Sequence, residues 1–377
     1  MWKIPLFKIY SDEKDIQYVT EVIASGMNWA TGPNVGRLEK MIAEYVGREY
    51  AVTFNSGTSA LHAALLAHGI QKGDEVIVPS FTFIATANSP FFVGAKPVFA
   101  DIEEKTYGMD PGDLAERITR KTKAIMPVHV GGCSCRIREI REIAEDRGIL
   151  LIEDAAESLG ARIGNEKVGT FGSSAMFSFC APKVISTGEG GVMVTDDRGV
   201  LEKMRLLRSH GRADSKDYFS TNEYLDYVTL GYNFRMSNII AALGIAQMEK
   251  LDRVIEMRQR NAAYLTAGLN CRALGIRTPS APEGFHHLFQ MYTIQADARD
   301  ALNNHLAEKG IMAKVYFPPV HHSKFYREVL GYRDRLPVTE RMAEHVLTLP
   351  MYPHLTREEM DYMVDAIAGF SGEGSHG

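Results

Sequence analysis

Short apolar segments alternate with amphipathic segments of helical length through the first half of this chain. The apolar segments have the length of strands, are rich in valine, isoleucine and phenylalanine, and lie at 51–54, 75–79, 97–100, 124–130 and 150–153. The segments between them follow capping residues or a proline and are predicted helices at 59–68, 111–117 and 136–146, the last of them preceded by Ser134. Because strands covered by helices on both faces carry few charges, this alternation predicts an α/β protein with a doubly wound, mostly parallel sheet.

The pattern changes after Asn238, where one or two long helices are expected over 239–269, with a break near Asp252. A strand at 287–296 and a helix at 297–308 follow. We therefore predict three parts: a large α/β domain at 12–245, a smaller α+β domain at 246–370 and a disordered tail at 371–377.

Charge and hydropathy exclude several classes of protein. The 377 residues are 45% hydrophobic and 24% charged, with a formal net charge of -5, so no basic surface for nucleic acid is expected. The first residues lack the apolar run of a signal peptide, and no apolar stretch is long enough for a membrane span. We expect a cytoplasmic protein with neither nucleic acid nor membrane as a partner.

Cysteine and histidine spacing predicts neither disulfides nor a metal site. Four scattered cysteines, of which Cys133 and Cys135 are the closest pair, are expected to be reduced thiols. His321 and His322 are a weak metal signal, since neighbouring side chains on an extended chain point to opposite faces. We therefore predict no metal.

Ligands of open α/β sheets bind beyond the carboxyl ends of the strands, and two of these ends suggest binding groups. Ser56, Gly57 and Thr58 lead from a strand directly into a helix, whose free amides and positive dipole end favour an anion such as phosphate. Phe81 and Phe83 follow the next strand, where an aromatic ring can stack on a flat ligand. A capped helix and ordinary core packing are the commoner explanations of the two features.

Two further strand ends carry charges. Asp154 ends an apolar strand, where a buried carboxylate needs a cationic partner, either a ligand or a structural arginine. Lys183 lies between Ser178 and a glycine-rich turn at 188–191, a setting that suits either a covalent lysine or a surface lysine. In chain order, an anion site, an aromatic ring, a carboxylate and a lysine match the groups that hold pyridoxal phosphate.

Five motifs resemble the sugar aminotransferase family often called DegT type, and the resemblance runs from Gly32 to Pro350. They are S-G-T-S-A-L (56–61), P-S-F-T-F (79–83), E-D-A-A-E-S-L-G (153–160), F-S-F-x-x-x-K-x-x-x-T-G-E-G-G (177–191) and G-Y-N-F-R-M-S (231–237). The resemblance implies the aspartate-aminotransferase type of fold (fold type I) and a homodimer with shared active sites. It also implies transfer of an amino group from L-glutamate to a keto sugar of a nucleoside-diphosphate sugar.

The same resemblance implies roles for single residues around pyridoxal phosphate. Lys183 would form the Schiff base, Asp154 would pair with the pyridine nitrogen, and Phe83 would stack on the ring. The phosphate would be held by Gly57, Thr58 and Ser178, with Asn233 donated by the neighbouring subunit. Glu157 stands near the phenolic oxygen, where many relatives carry glutamine or histidine. In the small domain, Tyr316, His321 and Tyr326 lie in a segment that the family tends to use for the sugar nucleotide.

Several alternatives share parts of this pattern. The dehydratase branch of the family replaces the lysine with histidine, so Lys183 argues against it. Transaminases acting on a cyclitol or forming an aromatic amine would carry the same motifs. A non-catalytic regulator that binds sugar nucleotides would need no lysine, and a nicotinamide dehydrogenase would need a glycine fingerprint that the sequence lacks. The keto sugar, its base and the aminated carbon stay open.

Overall fold

The computed structural model describes residues 2–213, 221–222, 224–272 and 275–370. The predicted disordered tail at 371–377 lies outside these residues. Twelve α-helices are found in the described part: α1 (Glu13–Ala24), α2 (Pro33–Val46), α3 (Gly57–Ala67), α4 (Ile84–Phe92), α5 (Pro111–Arg117), α6 (Ile137–Arg147), α7 (Arg198–Arg208), α8 (Asn238–Met248), α9 (Leu251–Arg272), α10 (Arg299–Glu308), α11 (Pro337–His345) and α12 (Arg357–Ala368).

The described residues also form thirteen strands: β1 (Tyr50–Phe54), β2 (Glu75–Pro79), β3 (Lys96–Ala100), β4 (Thr122–Ile125), β5 (Leu150–Asp154), β6 (Arg162–Ile163), β7 (Glu166–Lys167), β8 (Ser174–Ser178), β9 (Gly191–Thr195), β10 (Ile276–Arg277), β11 (Phe285–His286), β12 (Tyr292–Ala296) and β13 (Val346–Leu349). Seven of them form one sheet in the order β1-β9-β8-β5-β4-β2-β3, in which β9 alone runs against the others. This sheet confirms the predicted α/β class with mostly parallel strands.

Two smaller sheets complete the fold. Strands β10, β12 and β13 pair antiparallel near the end of the chain, and the hairpin of β6 and β7 pairs antiparallel with the remote strand β11. Helix α9 belongs to two cores, since its Val254 packs with the large sheet and its Leu265 with the sheet of β12 and β13. The predicted domain boundary at 245/246 stays a prediction.

Two predicted strands are shorter than expected. The continuous strand in the segment 124–130 ends at Ile125, because Pro127 has no amide to donate, and the pairing continues only as an isolated bridge between Val128 and Asp154 before the chain turns at Gly131, whose φ is 64°. The segment 287–296 becomes a strand only at Tyr292, because Phe289 has a φ of 51° and interrupts the extended chain.

The helix expectations need smaller corrections. The helix predicted at 136–146 begins at Ile137, and Ser134 does not cap it because its hydroxyl instead donates to the Cys135 carbonyl at 2.9 Å. The long helical stretch breaks between Met248 and Leu251, two residues before the predicted position. Among the described residues, none of the helices combines the length and apolar character needed to cross a membrane.

Candidate active site

The segment that carries Lys183 connects the antiparallel strands β8 and β9. Backbone bonds tie its two ends together, with the Phe179 amide donating to the Gly190 carbonyl at 2.9 Å. Gln290, near the start of β12, donates through Nε2 to the Pro182 carbonyl at 2.8 Å. The lysine therefore stands on a loop that is fixed from both the large sheet and the later part of the chain.

Lys183 points inward and contacts a second carboxylate. Its side chain is only 15% exposed, and its Nζ lies 3.1 Å from Glu157 Oε1. The other oxygen of Glu157 accepts the Gly131 amide at 2.8 Å, so the carboxylate is held in one orientation. The structure thus brings together two residues that the sequence analysis named, and it adds Gly131, which no motif indicated.

Asp154 lies at the end of β5, fully inside the protein. Its Oδ2 accepts the Thr86 hydroxyl at 2.7 Å, and its Oδ1 accepts the Ala156 amide at 3.1 Å. Burial raises the pKa of Asp154, while the Thr86 hydroxyl and the charge of Lys183 oppose that rise. Its hydrogen-bond donors in the described structure are neutral groups, so a cationic ring nitrogen would be a suitable further partner.

Glu153, next to Asp154, faces the opposite side of the sheet because side chains alternate along a strand. It is fully buried, and its carboxylate accepts the amides of Gly169, Phe171 and Gly172 at 2.7–2.8 Å. His129 Nδ1 accepts the Cys135 amide, which leaves Nε2 as the donor to Glu153 at 3.1 Å. Glu153 therefore belongs to the framework behind the site.

The predicted anion site lies at the first turn of α3. Ser56 caps this helix by accepting the Ser59 amide at 3.1 Å, and the amides of Gly57 and Thr58 have no partner within the helix. An added Cβ on Gly57 would come within 3.4 Å of the Ser178 Cβ, so Ser178 borders the same turn. Gly191 packs so closely there that a Cβ would lie 2.5 Å from the Gly57 nitrogen. These residues form a turn that fits a phosphate group.

Phe83 occupies the residue before α4, and its ring is 61% exposed. Its carbonyl accepts the Thr86 amide at 3.2 Å, which places Phe83 one turn from the partner of Asp154. The ring is thus available to stack on a ligand beside the carboxylate. Thr86 itself was missed by the sequence analysis, although Thr82 and Thr86, whose hydroxyls lie 2.8 Å apart, share a helical spacing of four residues.

Asn233 is exposed, and its backbone lies beside the strand that leads into the anion site of its own chain. Its carbonyl is 3.4 Å from Asn55 Nδ2, and the Asn55 amide donates to the Phe234 carbonyl at 2.8 Å. The predicted donation of Asn233 to a second subunit stays a prediction.

The three residues suggested for the sugar nucleotide differ in exposure. Tyr326 is fully buried among Phe91 and Phe99, and its hydroxyl donates to Asn88 at 2.9 Å. His321 is 2% exposed, and Tyr316 is half-buried. Of the three, Tyr316 is the one whose side chain is most available to a ligand.

A cavity of about 210 Å³ lies beyond the Gly131 turn, between the loop after β3 and the segment that leads into β12. Tyr107, His287 and Met291 contribute to its walls, whereas Lys183 and Asp154 do not. The candidate active site therefore rests on the contacts around Lys183 rather than on this cavity.

The residues present fit pyridoxal phosphate. A lysine held beside a carboxylate, a buried aspartate with neutral donors and a helix start lined by Gly57 and Ser178 supply the binding groups that an aldehyde, a pyridine nitrogen and a phosphate require.

Comparison with known proteins places the chain in one family. Residues 10–368 match the model of the DegT/DnrJ/EryC1/StrS aminotransferase family. A GDP-perosamine synthase of Escherichia coli O157:H7 is 36% identical over 97% of this chain and 98% of its own length. A UDP-N-acetyl-3-dehydro-alpha-D-glucosamine 3-aminotransferase of Acidithiobacillus ferrooxidans is 39% identical over 87% of this chain and 86% of its own length.

A solved structure agrees with the sequence comparison. Spr1654 of Streptococcus pneumoniae in its PLP form superimposes with a TM-score of 0.89 at 26% identity, covering 98% of this chain and 97% of that chain. The predicted fold of the aspartate-aminotransferase type is thereby confirmed. The chain belongs to the DegT/DnrJ/EryC1/StrS aminotransferase family, whose members depend on pyridoxal phosphate.

Proposed function

We propose that this enzyme transfers the amino group of L-glutamate to a keto sugar carried by a nucleoside diphosphate, giving an amino sugar nucleotide. The observation that carries the proposal is the contact of 3.1 Å between Lys183 Nζ and Glu157, next to the buried Asp154. Membership of the aminotransferase family supports the reaction type. The names of the two relatives support a nucleotide-linked sugar as the acceptor.

The side chains of this site have distinct tasks in the proposed reaction. Pyridoxal phosphate, when bound, supplies the electron sink for a carbanion. Lys183 Nζ, as the neutral amine, removes the proton from the Cα of the amino donor and becomes an ammonium. Glu157, whose Oε1 lies 3.1 Å from Nζ, holds this ammonium in place. Asp154, with its hydrogen bond from Thr86, keeps the ring nitrogen protonated.

The remaining predicted residues bind and orient. Gly57 and Thr58 would hold the phosphate through their amides, and the Ser178 hydroxyl would add a donor beside the same turn. Phe83, with its exposed side chain, would stack on the ring. Glu157 adds a negative charge next to Lys183 that a neutral residue would lack.

The proposed binding of pyridoxal phosphate to Lys183 is tested on the purified protein. Addition of pyridoxal phosphate should produce visible absorbance, and borohydride followed by peptide mapping should label Lys183. Lys183→Ala is the matched control, because it removes the amine and leaves the Asp154 and phosphate groups in place. Labelling at another residue, or no absorbance change in the wild type, would contradict the proposed role.

The acceptor is tested by a substrate screen. UDP-, GDP- and dTDP-linked 3-keto and 4-keto sugars are each incubated with L-glutamate, and formation of 2-oxoglutarate and of the amino sugar is followed. We expect turnover with one of the nucleotide sugars. Turnover of a cyclitol or an aromatic precursor instead would support the alternative substrates and refute the nucleotide-sugar acceptor.

We also propose that the active enzyme is a homodimer in which Asn233 of one subunit completes the phosphate site of the other. Asn233 is exposed, and the neighbouring Val228 and Leu230 are 58% and 77% exposed, which is apolar surface that a second copy would cover. If the site is shared, mixing Asn233→Ala and Lys183→Ala chains restores about a quarter of the sites, since half of the dimers are mixed and each has one intact site. Verified mixed dimers without activity would refute the shared site.

A further inference from the structure

Two adjacent histidines and a glutamate converge outside the cofactor site. Val320–His322 forms a 3₁₀ turn, and the rings of His321 and His322 lie 4.1 Å apart between centroids. The sequence analysis dismissed this pair because an extended chain would separate the two rings. The chain is not extended here, and residues of a 3₁₀ turn are offset by about 120° rather than 180°. Both rings therefore reach Glu340 of α11.

We propose that His321, His322 and Glu340 form a binding site for a transition metal ion of the Zn²⁺ type. Their ligand atoms all lie within 4.8 Å of one another. The site uses none of the residues assigned to the cofactor, and His321 is its one member from the segment suggested for the sugar nucleotide.

The distances fit a tetrahedral ion better than they fit direct ion pairs. Glu340 Oε1 lies 3.3 Å from His321 Nε2 and 3.6 Å from His322 Nε2. Zinc bonds of about 2.0–2.2 Å in tetrahedral geometry place neighbouring ligand atoms about 3.3–3.5 Å apart. A charged hydrogen bond between nitrogen and oxygen would be shorter, at about 2.7–2.9 Å. Glu340 is thus spaced from each of the two imidazoles as one ligand is from another around a common ion.

Hydrogen bonds from other residues orient two of the proposed ligands, His321 and Glu340. His321 Nδ1 lies 2.7 Å from the Ser80 hydroxyl, which orients the ring and leaves Nε2 for a metal. The Leu336 amide donates to Glu340 Oε1 at 3.0 Å.

The third ligand is open to solvent. The side chain of His322 is 48% exposed, which gives an ion a way in, and three protein ligands leave a fourth position for water. Two imidazoles and one carboxylate form a ligand set that suits zinc. The site would fasten the 3₁₀ turn to α11 through Glu340, while the Val320 amide already joins the turn to the end of β2 by donating to the Ser80 carbonyl at 3.0 Å.

The proposal is tested by titrating zinc chloride into untagged, chelator-treated holoenzyme in a calorimeter. We expect one ion per chain, and at least about 10–100-fold weaker binding for His322→Ala and for Glu340→Gln. His345→Ala, which removes an imidazole elsewhere on α11, is the matched control and should bind like the wild type. His322 is exposed, so its variant should keep the fold, which circular dichroism and the melting temperature without zinc can check.

The results separate a built site from adventitious binding. Zinc should also raise the melting temperature of the wild type and leave that of His322→Ala unchanged. Zinc affinity that is unaltered in either His322→Ala or Glu340→Gln overturns the three-ligand site. So does a wild type that binds no zinc.

Discussion

The hydrogen bond from Thr86 to Asp154 gives a sharp test of how this site controls its cofactor. We consider Thr86→Val, which replaces the hydroxyl with a methyl group of similar size at a position that is 1% exposed. The change removes the bond of 2.7 Å to Asp154 Oδ2 and leaves the Thr82 hydroxyl without its partner. Packing is conserved, so the hydroxyl itself is tested.

The expected magnitude follows from what the bond stabilises. A hydrogen bond to a charged group contributes about 1.5–3 kcal/mol, which corresponds to roughly 10–150-fold in an equilibrium constant. Burial raises the pKa of Asp154, and the Thr86 hydroxyl opposes this. Without the hydroxyl the pKa rises further, so the carboxylate that would pair with the ring nitrogen is less stable.

Three measurements follow this effect. The dissociation constant of pyridoxal phosphate, measured by absorbance, should increase about 10-fold or more, and kcat should fall by about 10–100-fold. The acid limb of the kcat/KM profile should move to higher pH, because Asp154 then ionises at higher pH. Thr86→Ser, which keeps the hydroxyl, should stay close to the wild type in all three.

Two outcomes would refute this reasoning. An unchanged cofactor affinity and pH profile in Thr86→Val would show that the hydroxyl does not stabilise the ionised Asp154. A Thr86→Ser protein as impaired as Thr86→Val would show that the methyl packing matters and the hydrogen bond does not. The melting temperature of each cofactor-free protein separates both from a general loss of fold.

Three further predictions concern the same framework. Asp154→Asn should stabilise the cofactor-free protein by roughly 1 kcal/mol at neutral pH. The pKa of Asp154 is raised above its ordinary value of 3.8, so the wild type loses stability as the pH rises through the folded pKa. Urea unfolding at several pH values checks this, and a free energy of unfolding that depends on pH equally in both proteins would contradict it. Burial alone would raise the pKa of Glu153, but His129 and the Gly172 and Gly169 amides lower it overall from its ordinary value of 4.5. Glu153→Gln should therefore lose about 3–5 kcal/mol at pH 7, and its difference from the wild type should shrink as the pH falls below 4.5 through the folded pKa. Gln290→Leu should speed hydrogen exchange across 179–190 while lowering the free energy of unfolding by only about 1 kcal/mol. The change removes the hydrogen bond to the Pro182 carbonyl, but it also removes a buried Oε1 that has no partner in the described structure. Unchanged hydrogen exchange would show that Gln290 does not fix the loop that carries Lys183.

The local pattern of apolar and capping residues was sufficient to predict most of the helices and strands. The strand predicted at 75–79 is β2 itself, and the helix predicted from Pro111 to Arg117 is α5. Prediction failed where a single residue changed the backbone path. Pro127 interrupts the strand that begins as β4, and Phe289 delays the start of β12. Such residues act through a missing amide or a positive φ, which hydrophobic periodicity does not report.

The candidate site likewise has residues that the sequence indicated and contacts that only the structure shows. Motif order was sufficient to indicate Lys183, Asp154 and the turn at Gly57, because each follows a strand whose carboxyl end faces the same edge of the sheet. The motifs indicated a role for Asp154 and none for the adjacent Glu153. The pleat of β5 separates them, sending Glu153 to His129 and Asp154 to Thr86.

The sequence by itself determined the α/β class, the aminotransferase family and the lysine that identifies it, since these depend on the period of apolar residues and on short motifs. Only the tertiary structure decided which side chains meet. Thr86 reaches Asp154 across 68 residues, Gly131 holds Glu157 across 26, and Gln290 holds the lysine loop across 108. Contacts at these separations depend on how the chain packs, and no local pattern encodes them.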